Sequence, residues 1–158
     1  DKDAVVASML ICEMAAYYKT KNMNLVDVME SLYEEFGFYA NVVESYTFEG
    51  ASGMEKMASI MDGLRTNAPS KIAGYDVVSV SDYEASKTVF ANGRADEKIE
   101  LPKSNVLAYG LTDGNKLIVR PSGTEPKIKA YITAVGKSRE EADFIAAKLI
   151  DAANEFMK

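Results

Sequence analysis

The sequence is organised around one stretch, Arg120-Pro121-Ser122-Gly123-Thr124-Glu125-Pro126-Lys127, which follows the short apolar run Leu117-Ile118-Val119. Two prolines exclude a helix and interrupt strand pairing, so the stretch predicts a shaped loop at the end of a strand. Gly123 allows this loop a backbone kink with positive φ at little cost. The pattern therefore predicts a fixed arrangement of polar groups where a strand ends.

The residue types of this loop suit an anion. A guanidinium, two hydroxyl groups and converging backbone N–H groups are the donors that a phosphate dianion needs. Between residues 116 and 131 four cations stand against one carboxylate, whereas the whole chain carries a formal net charge of −6. The alternative is a surface turn in which Arg120 pairs with Glu125 or Glu100, a contact that contributes only about 0–1 kcal/mol. We expect the phosphate site.

The overall composition is typical of a globular protein that binds neither nucleic acid nor a membrane. The chain has 158 residues, of which 47% are hydrophobic and 27% are charged. Its acidity argues against nucleic acid as a partner. The longest apolar run, Ala4 to Tyr18, contains Ser8 and Glu13 and is too short to span a bilayer. The single cysteine, Cys12, fits a reducing cytoplasm and is predicted to be a small buried side chain.

The first 37 residues predict two helices that have no strand of their own. The first helix covers residues 3–19 and is apolar on most sides, with Asp1 and Asp3 at the end where negative charge is favoured. The second is capped by Asn24 and ended by Gly37. Its apolar stripe consists of Leu25, Val28, Met29, Leu32 and Phe36. Because these helices lack a sheet to cover, we predict that they are the tail of a preceding α/β domain.

Residues 38–158 then predict a domain that begins with a strand and a helix. The strand is expected over residues 38–48, and the helix after it begins with a capping box of Ser52 and Glu55. The residues predicted to face inward on this helix are Met54, Met57, Ala58, Met61 and Leu64. A methionine stripe is also found on adaptable binding surfaces, but at helical spacing it indicates core packing.

The rest of this domain predicts several strands and a last helix. Strands are expected over residues 75–80, 106–111, 117–120 and 127–135, while residues 81–104 are predicted to be an exposed loop with little regular structure. The sequence Thr112-Asp113-Gly114-Asn115 is a hairpin signal. One face of the last strand consists of Ile128, Ala130, Ile132 and Ala134. Ser138 and Glu141 form a second capping box. The expected fold class is α+β, an antiparallel sheet with helices packed on one face.

Residues 120–129, Arg-Pro-Ser-Gly-Thr-Glu-Pro-Lys-Ile-Lys, resemble the phosphate-binding loop in the last domain of the α-D-phosphohexomutases. That family includes phosphoglucomutases, phosphomannomutases, phosphopentomutases and phosphoglucosamine mutases. The segments 101–107, Leu-Pro-Lys-Ser-Asn-Val-Leu, and 46–50, Tyr-Thr-Phe-Glu-Gly, resemble its bacterial phosphoglucomutase branch, and the resemblance covers essentially the whole chain. It implies that residues 38–158 are the TATA-binding-protein-like last domain of this family and that residues 1–37 end the third domain.

The resemblance also implies the site residues. Arg120, Ser122, Gly123 and Thr124 match the phosphate contacts of the family, and Lys129 is a candidate helper because it lies on the strand that leaves the loop. Lys127 is either a further contact or a solvated charge, and the sequence leaves both open. The chain has no histidine, no closely spaced carboxylate cluster and no Ser-His or Cys-His pair. We therefore expect no catalytic residue and no metal ligand in it.

The function that the resemblance implies is that of a cytoplasmic, Mg²⁺-dependent phosphoglucomutase, which interconverts glucose 1-phosphate and glucose 6-phosphate through glucose 1,6-bisphosphate. In this family the phosphoserine, the magnesium loop and the sugar-recognition loop belong to the first three domains. This chain would then supply the grip on the non-reacting phosphate and be inactive by itself. Its expected partners are the sugar phosphate and the rest of the parent chain. The alternatives are a phosphomannomutase or phosphopentomutase of the same family, or a non-catalytic module that binds a phosphorylated ligand.

Overall fold

The computed structural model describes residues 2–50 and 52–158, so Asp1 and its predicted place at a helix N-terminus lie outside the described residues. The chain divides into two compact units at Phe38 and Tyr39, and each is described by itself. Whether the first unit is the tail of an α/β domain stays a prediction. Among the described residues, no helix is long and apolar enough to cross a membrane.

The first unit contains the two predicted helices, α1 (Ala4–Lys19) and α2 (Leu25–Phe36). Asn24 and Asp27 form a capping box at the start of α2, and Gly37, with φ of 96°, ends it as predicted. In the described chain no residue of α1 is buried, and only Val28 of α2 is. The prediction that Cys12 is buried is therefore wrong, because Cys12 lies on an exposed part of α1.

The second unit contains the sheet, which has eight strands within the described residues. The strands are β1 (Phe38–Thr47), β2 (Lys71–Ile72), β3 (Tyr75–Asp82), β4 (Lys87–Phe90), β5 (Glu97–Lys98), β6 (Leu107–Leu111), β7 (Lys116–Pro121) and β8 (Lys127–Gly136). Their order in the sheet is β1-β8-β7-β6-β3-β4-β5, and β2 pairs with β3. The pairs between β6, β7 and β8 are antiparallel, as the hairpin signal and the loop at residues 120–127 predict.

Two helices, α3 (Gly53–Thr66) and α4 (Arg139–Phe156), pack against one face of this sheet. The face consists of alternate residues of the central strands, including the four of β8 that the sequence predicts: Ile128, Ala130, Ile132 and Ala134. They share one core with Met57, Met61 and Leu64 of α3 and with Ile145, Leu149 and Ala153 of α4. The predicted α+β architecture is confirmed.

The segment 81–104, predicted to be an irregular loop, contains strands β4 and β5 instead. The Asp82 side chain accepts hydrogen bonds from the N–H groups of Glu84 (3.0 Å) and Ala85 (3.3 Å), and Ser86 has φ of 56°. This turn reverses the chain, so that Lys87–Phe90 pairs with residues 79–82. The sequence does not signal this hairpin because its turn, residues 83–86, has no glycine or Asn-Gly pair.

The two predicted capping boxes differ from expectation. The Ser52 side chain makes no capping hydrogen bond, because its φ and ψ of −87° and 0° depart from the extended conformation of a capping residue. Met54 and Ala58 of this helix are exposed and not inward-facing. At α4 the Ser138 hydroxyl does accept from the Glu141 N–H at 3.2 Å, but the Glu141 carboxylate accepts from Lys137 N–H, not from Ser138.

A polar cluster that the sequence does not signal joins α3 to the sheet. Arg65 forms ion pairs with Asp82 and Glu84, both at 2.9 Å, and its guanidinium donates a 2.8 Å hydrogen bond to Asn105 Oδ1. Beside it the Tyr109 hydroxyl donates to the carbonyl of Leu64 at 3.1 Å, and burial raises the pKa of Tyr109 to about 12. Asp82 and Glu84, which lie in the segment predicted to be an exposed loop, therefore anchor the end of α3.

Candidate functional site

The loop predicted from residues 120–127 joins strands β7 and β8. Strand pairing continues further into the loop than the prolines predict, because Pro121 still pairs with Ile128 and Arg120 with Lys129. Only residues 122–126 leave the ladder. The loop is thus a short hairpin connection, and both of its strands are central to the sheet.

The side chains next to the loop separate onto two faces of the sheet. Val119 and Ala130 are fully buried against the helices, whereas the neighbouring Arg120 and Lys129 are exposed on the opposite face. Since Arg120 and Lys129 are register partners, two positive charges lie directly across from each other. The pairing register brings together two of the five residues that the sequence analysis assigned to the site.

Hydrogen bonds within the loop fix its backbone. The Ser122 N–H donates to the carbonyl of Lys127 at 2.8 Å, and the Ser122 hydroxyl accepts weakly from the N–H groups of Thr124 (3.4 Å) and Glu125 (3.3 Å). The loop is also tied to the end of β1, because the Phe48 N–H donates to the carbonyl of Pro126 at 2.8 Å. Ser122 therefore holds the loop together.

Gly123 adopts a different conformation from the predicted one. Its φ is not positive, so the loop does not need glycine for a left-handed kink. A Cβ at this position would meet no atom within 4 Å. The Gly123 N–H makes no hydrogen bond within the described part of the chain, while the next two N–H groups point to Ser122. The sequence predicts several converging N–H groups for an anion, whereas among the described residues the Gly123 N–H is without a partner and the next two are already hydrogen-bonded.

A cleft of about 300 Å³ lies beside the loop. It is lined by Arg120, Pro121, Ser122, Gly123, Glu125, Lys127, Lys129 and Tyr131. Four of the five predicted site residues line it, and Thr124 does not. The cleft also contains Tyr131, which no sequence motif includes but which the alternation along β8 places on the same face as Lys129.

The ion pairs around the cleft test the surface-turn alternative. Glu125 pairs with Lys127 at 3.1 Å and Glu100 with Lys98 at 3.1 Å, so neither carboxylate pairs with Arg120. In the described residues Arg120 and Lys129 make no hydrogen bond or ion pair through their side chains. The surface turn with a paired arginine is therefore wrong. Lys127 is held by a carboxylate on the wall of the cleft.

A metal ion needs several ligating side chains close together. In the part of the chain that the structure describes, no group of three His, Cys, Asp or Glu side chains lies close enough to hold a metal ion. Within residues 2–50 and 52–158 the Mg²⁺ ion that the sequence resemblance implies therefore has no ligand set.

Comparison with known proteins shows similarity to phosphoglucomutases. The family model described as "Phosphoglucomutase/phosphomannomutase, C-terminal domain" matches residues 64–152. A phosphoglucomutase of Staphylococcus haemolyticus is 37% identical over 133 residues, which are 84% of this chain and 24% of the relative. One from Staphylococcus epidermidis is 35% identical over 152 residues, 96% of this chain and 27% of the relative. The chain thus spans about a quarter of the length of the curated relatives it matches.

A solved structure shares the fold. The open form of pp63/parafusin, a phosphoglucomutase from Paramecium, aligns with a TM-score of 0.56 at 17% sequence identity. The alignment covers 89% of this chain and 24% of the Paramecium chain. At this identity the similarity concerns the fold.

Proposed function

The chain belongs to the phosphoglucomutase/phosphomannomutase family, whose C-terminal domain it contains, and we propose on that premise that its cleft binds the phosphate group of a sugar phosphate. The observation that carries this proposal is the pair of unneutralised cations, Arg120 and Lys129, directly opposite each other on the cleft wall. The two positive charges match a phosphate monoester dianion. Ser122 and the open N–H of Gly123 add neutral donors beside them.

We propose further that the domain acts in a phosphoglucomutase that interconverts glucose 1-phosphate and glucose 6-phosphate through a bisphosphate. Arg120, Ser122, Gly123 and Lys129, which line the cleft, hold the phosphate that is not reacting. Binding energy from this remote phosphate orients the sugar for transfer at its other end. As part of the same proposal, the phosphoserine and Mg²⁺ belong to the portion of the cytoplasmic enzyme outside this chain. The 158-residue chain then has no mutase activity of its own.

The binding step can be tested on the chain as it stands. Titration of the ¹⁵N-labelled 158-residue chain with glucose 1-phosphate should shift the amide resonances of Gly123 and Lys129 with one dissociation constant. Arg120→Ala should weaken binding about tenfold or more, because a charge-assisted hydrogen bond is lost. The matched control is Arg94→Ala, which removes an exposed arginine that does not line the cleft. Equal affinity of Arg120→Ala and the unchanged chain would overturn the proposal.

The same titration compares sugars. Mannose 1-phosphate and ribose 5-phosphate should bind about as well as glucose 1-phosphate, because the proposed contacts reach the phosphate alone. A preference above about tenfold for one sugar at this domain would contradict a site that grips only the phosphate.

A further inference from the structure

The cleft contains a feature that an anion site does not need, a carboxylate on its wall. Glu125 lines the cleft together with the cations, and its Oε2 lies 3.1 Å from Lys127 Nζ. A carboxylate repels a bound phosphate and also occupies a lysine that would otherwise attract it. Glu125 therefore opposes the binding that Arg120 and Lys129 favour.

The backbone of the loop keeps these two residues together. Glu125 and Lys127 flank Pro126, and the Lys127 N–H donates to the Glu125 carbonyl across it at 2.7 Å. Proline fixes one backbone torsion of this three-residue turn, and Phe48 holds the Pro126 carbonyl from the neighbouring strand. The side chains of Glu125 and Lys127 remain partly exposed, so they can change partners while the backbone stays in place.

Resting on the function proposed above, we infer that Glu125 sets the affinity of the site by competing with the phosphate for Lys127. In the free chain Lys127 is neutralised, and only Arg120 and Lys129 carry uncompensated charge in the cleft. A bound phosphate dianion takes Lys127 from Glu125 and gains a third cation. The cost of separating the ion pair keeps binding weaker than three free cations would make it.

This competition has a use in the proposed reaction. A cleft that grips one phosphate of a bisphosphate must release it before the sugar can present its other phosphate. Differences in affinity within one site arise mostly from the dissociation rate. A carboxylate that recaptures Lys127 speeds release without removing a contact from the bound state.

The test is a double-mutant cycle on phosphate binding by the 158-residue chain, with inorganic phosphate and glucose 1-phosphate as probes at low ionic strength. Glu125→Gln should bind both about three- to fivefold more tightly, since exposed ion pairs of this kind are worth up to about 1 kcal/mol. In a chain that already carries Lys127→Met, the same Glu125→Gln substitution should change affinity less than about twofold.

The chain offers a matched control at Glu100. Glu100 also pairs with a lysine two residues away at 3.1 Å, but it does not line the cleft. Glu100→Gln should leave phosphate affinity unchanged. Thermal melts of each variant check that the domain is folded.

The possible outcomes separate this inference from the proposed function. If Arg120→Ala loses affinity but Glu125→Gln binds no more tightly than the unchanged chain, the competition is overturned and the phosphate site stands. If Glu125→Gln gains as much affinity with Lys127→Met as without it, Glu125 acts by repulsion alone and the inference is also overturned. If Arg120→Ala binds as well as the unchanged chain, the proposed function fails and this inference falls with it.

Discussion

Arg120 and Lys129 are register partners on strands β7 and β8, and both side chains lie on the face of the sheet that the helices leave open. Like charges directly opposite each other destabilise a strand pair. In the described residues no carboxylate neutralises either of them. The ligand-free sheet therefore contains a destabilising pair of like charges. A bound dianion would attract both of them.

This repulsion predicts a gain of stability when one cation is removed. Lys129→Gln should raise the free energy of unfolding of the ligand-free chain by about 0.2–1 kcal/mol, the range measured for cross-strand pairs. The gain should vanish in 1 M salt, where charges are screened within about 3 Å. Urea denaturation at low and high salt measures both values. A loss of stability at low salt would show that Lys129 has a favourable partner.

In a full-length enzyme containing this domain, Arg120→Ala should reduce kcat/KM without unfolding the domain. Arg120 is one of several proposed donors to the phosphate, so its loss should cost roughly 1.5–3 kcal/mol, or about ten- to a hundredfold or more. Arg120→Lys should recover only part, because an ammonium cannot bind two phosphate oxygens in the same plane. Steady-state kinetics measure the effect, with thermal melts as the control. Changes below twofold in both variants would refute the role.

Much of the site was predictable because it depends on local sequence. The alternation along β8 correctly separated buried Ile128 and Ala130 from exposed Lys129, and the hairpin signals placed β6, β7 and β8 next to each other. Period-two alternation fixes which face a residue occupies as soon as one face is buried. The residues of the cleft wall follow from that register.

The features that the sequence did not predict depend on contacts between distant residues or on backbone torsions. Arg65 pairs with Asp82 across 17 positions, and no local pattern signals that contact. The turn before β4 uses a positive φ at Ser86, a residue type that rarely adopts one. Likewise, the glycine at position 123 suggested a left-handed φ. In the structure its φ is not positive, and the space that a Cβ would occupy is empty beside the cleft.

Tyr109 predicts a pH dependence of stability at high pH. Burial raises its pKa from 10.0 to about 12 in the folded chain, so its contribution to stability is complete below pH 10 and is lost as the pH rises from 10 to 12. Tyr109→Phe lacks this pH-dependent contribution to stability. It also leaves the Leu64 carbonyl without its hydrogen-bond donor, which costs about 1–3 kcal/mol. The difference in unfolding free energy between the two chains should therefore narrow between pH 10 and 12. A constant difference in urea denaturation would contradict the shifted pKa.

Hydrogen exchange should distinguish the two units of the chain. Amides of α1 and α2 should exchange faster than those of α4, because α4 buries five residues, whereas within the described residues α1 buries none. A shortened chain, Tyr39–Lys158, should retain the protection of α4, since its core partners all lie in that range. Equal protection of α1 and α4 in a chain shown to be monomeric would contradict this expectation.

Gly123→Ala separates a role in folding from a role in binding. Because Gly123 has no positive φ and a Cβ there meets no atom within 4 Å, alanine should leave stability unchanged or raise it by about 0.4–1 kcal/mol. In the cleft, however, the added methyl group restricts the approach of a phosphate to the open N–H, so glucose 1-phosphate should bind at least about fivefold more weakly.

The control is Gly63→Ala on α3. A Cβ at Gly63 also meets no atom within 4 Å, and Gly63 does not line the cleft. That variant should gain about 0.5–1 kcal/mol of stability and bind unchanged. If both variants bind like the unchanged chain, the Gly123 N–H does not contact the ligand.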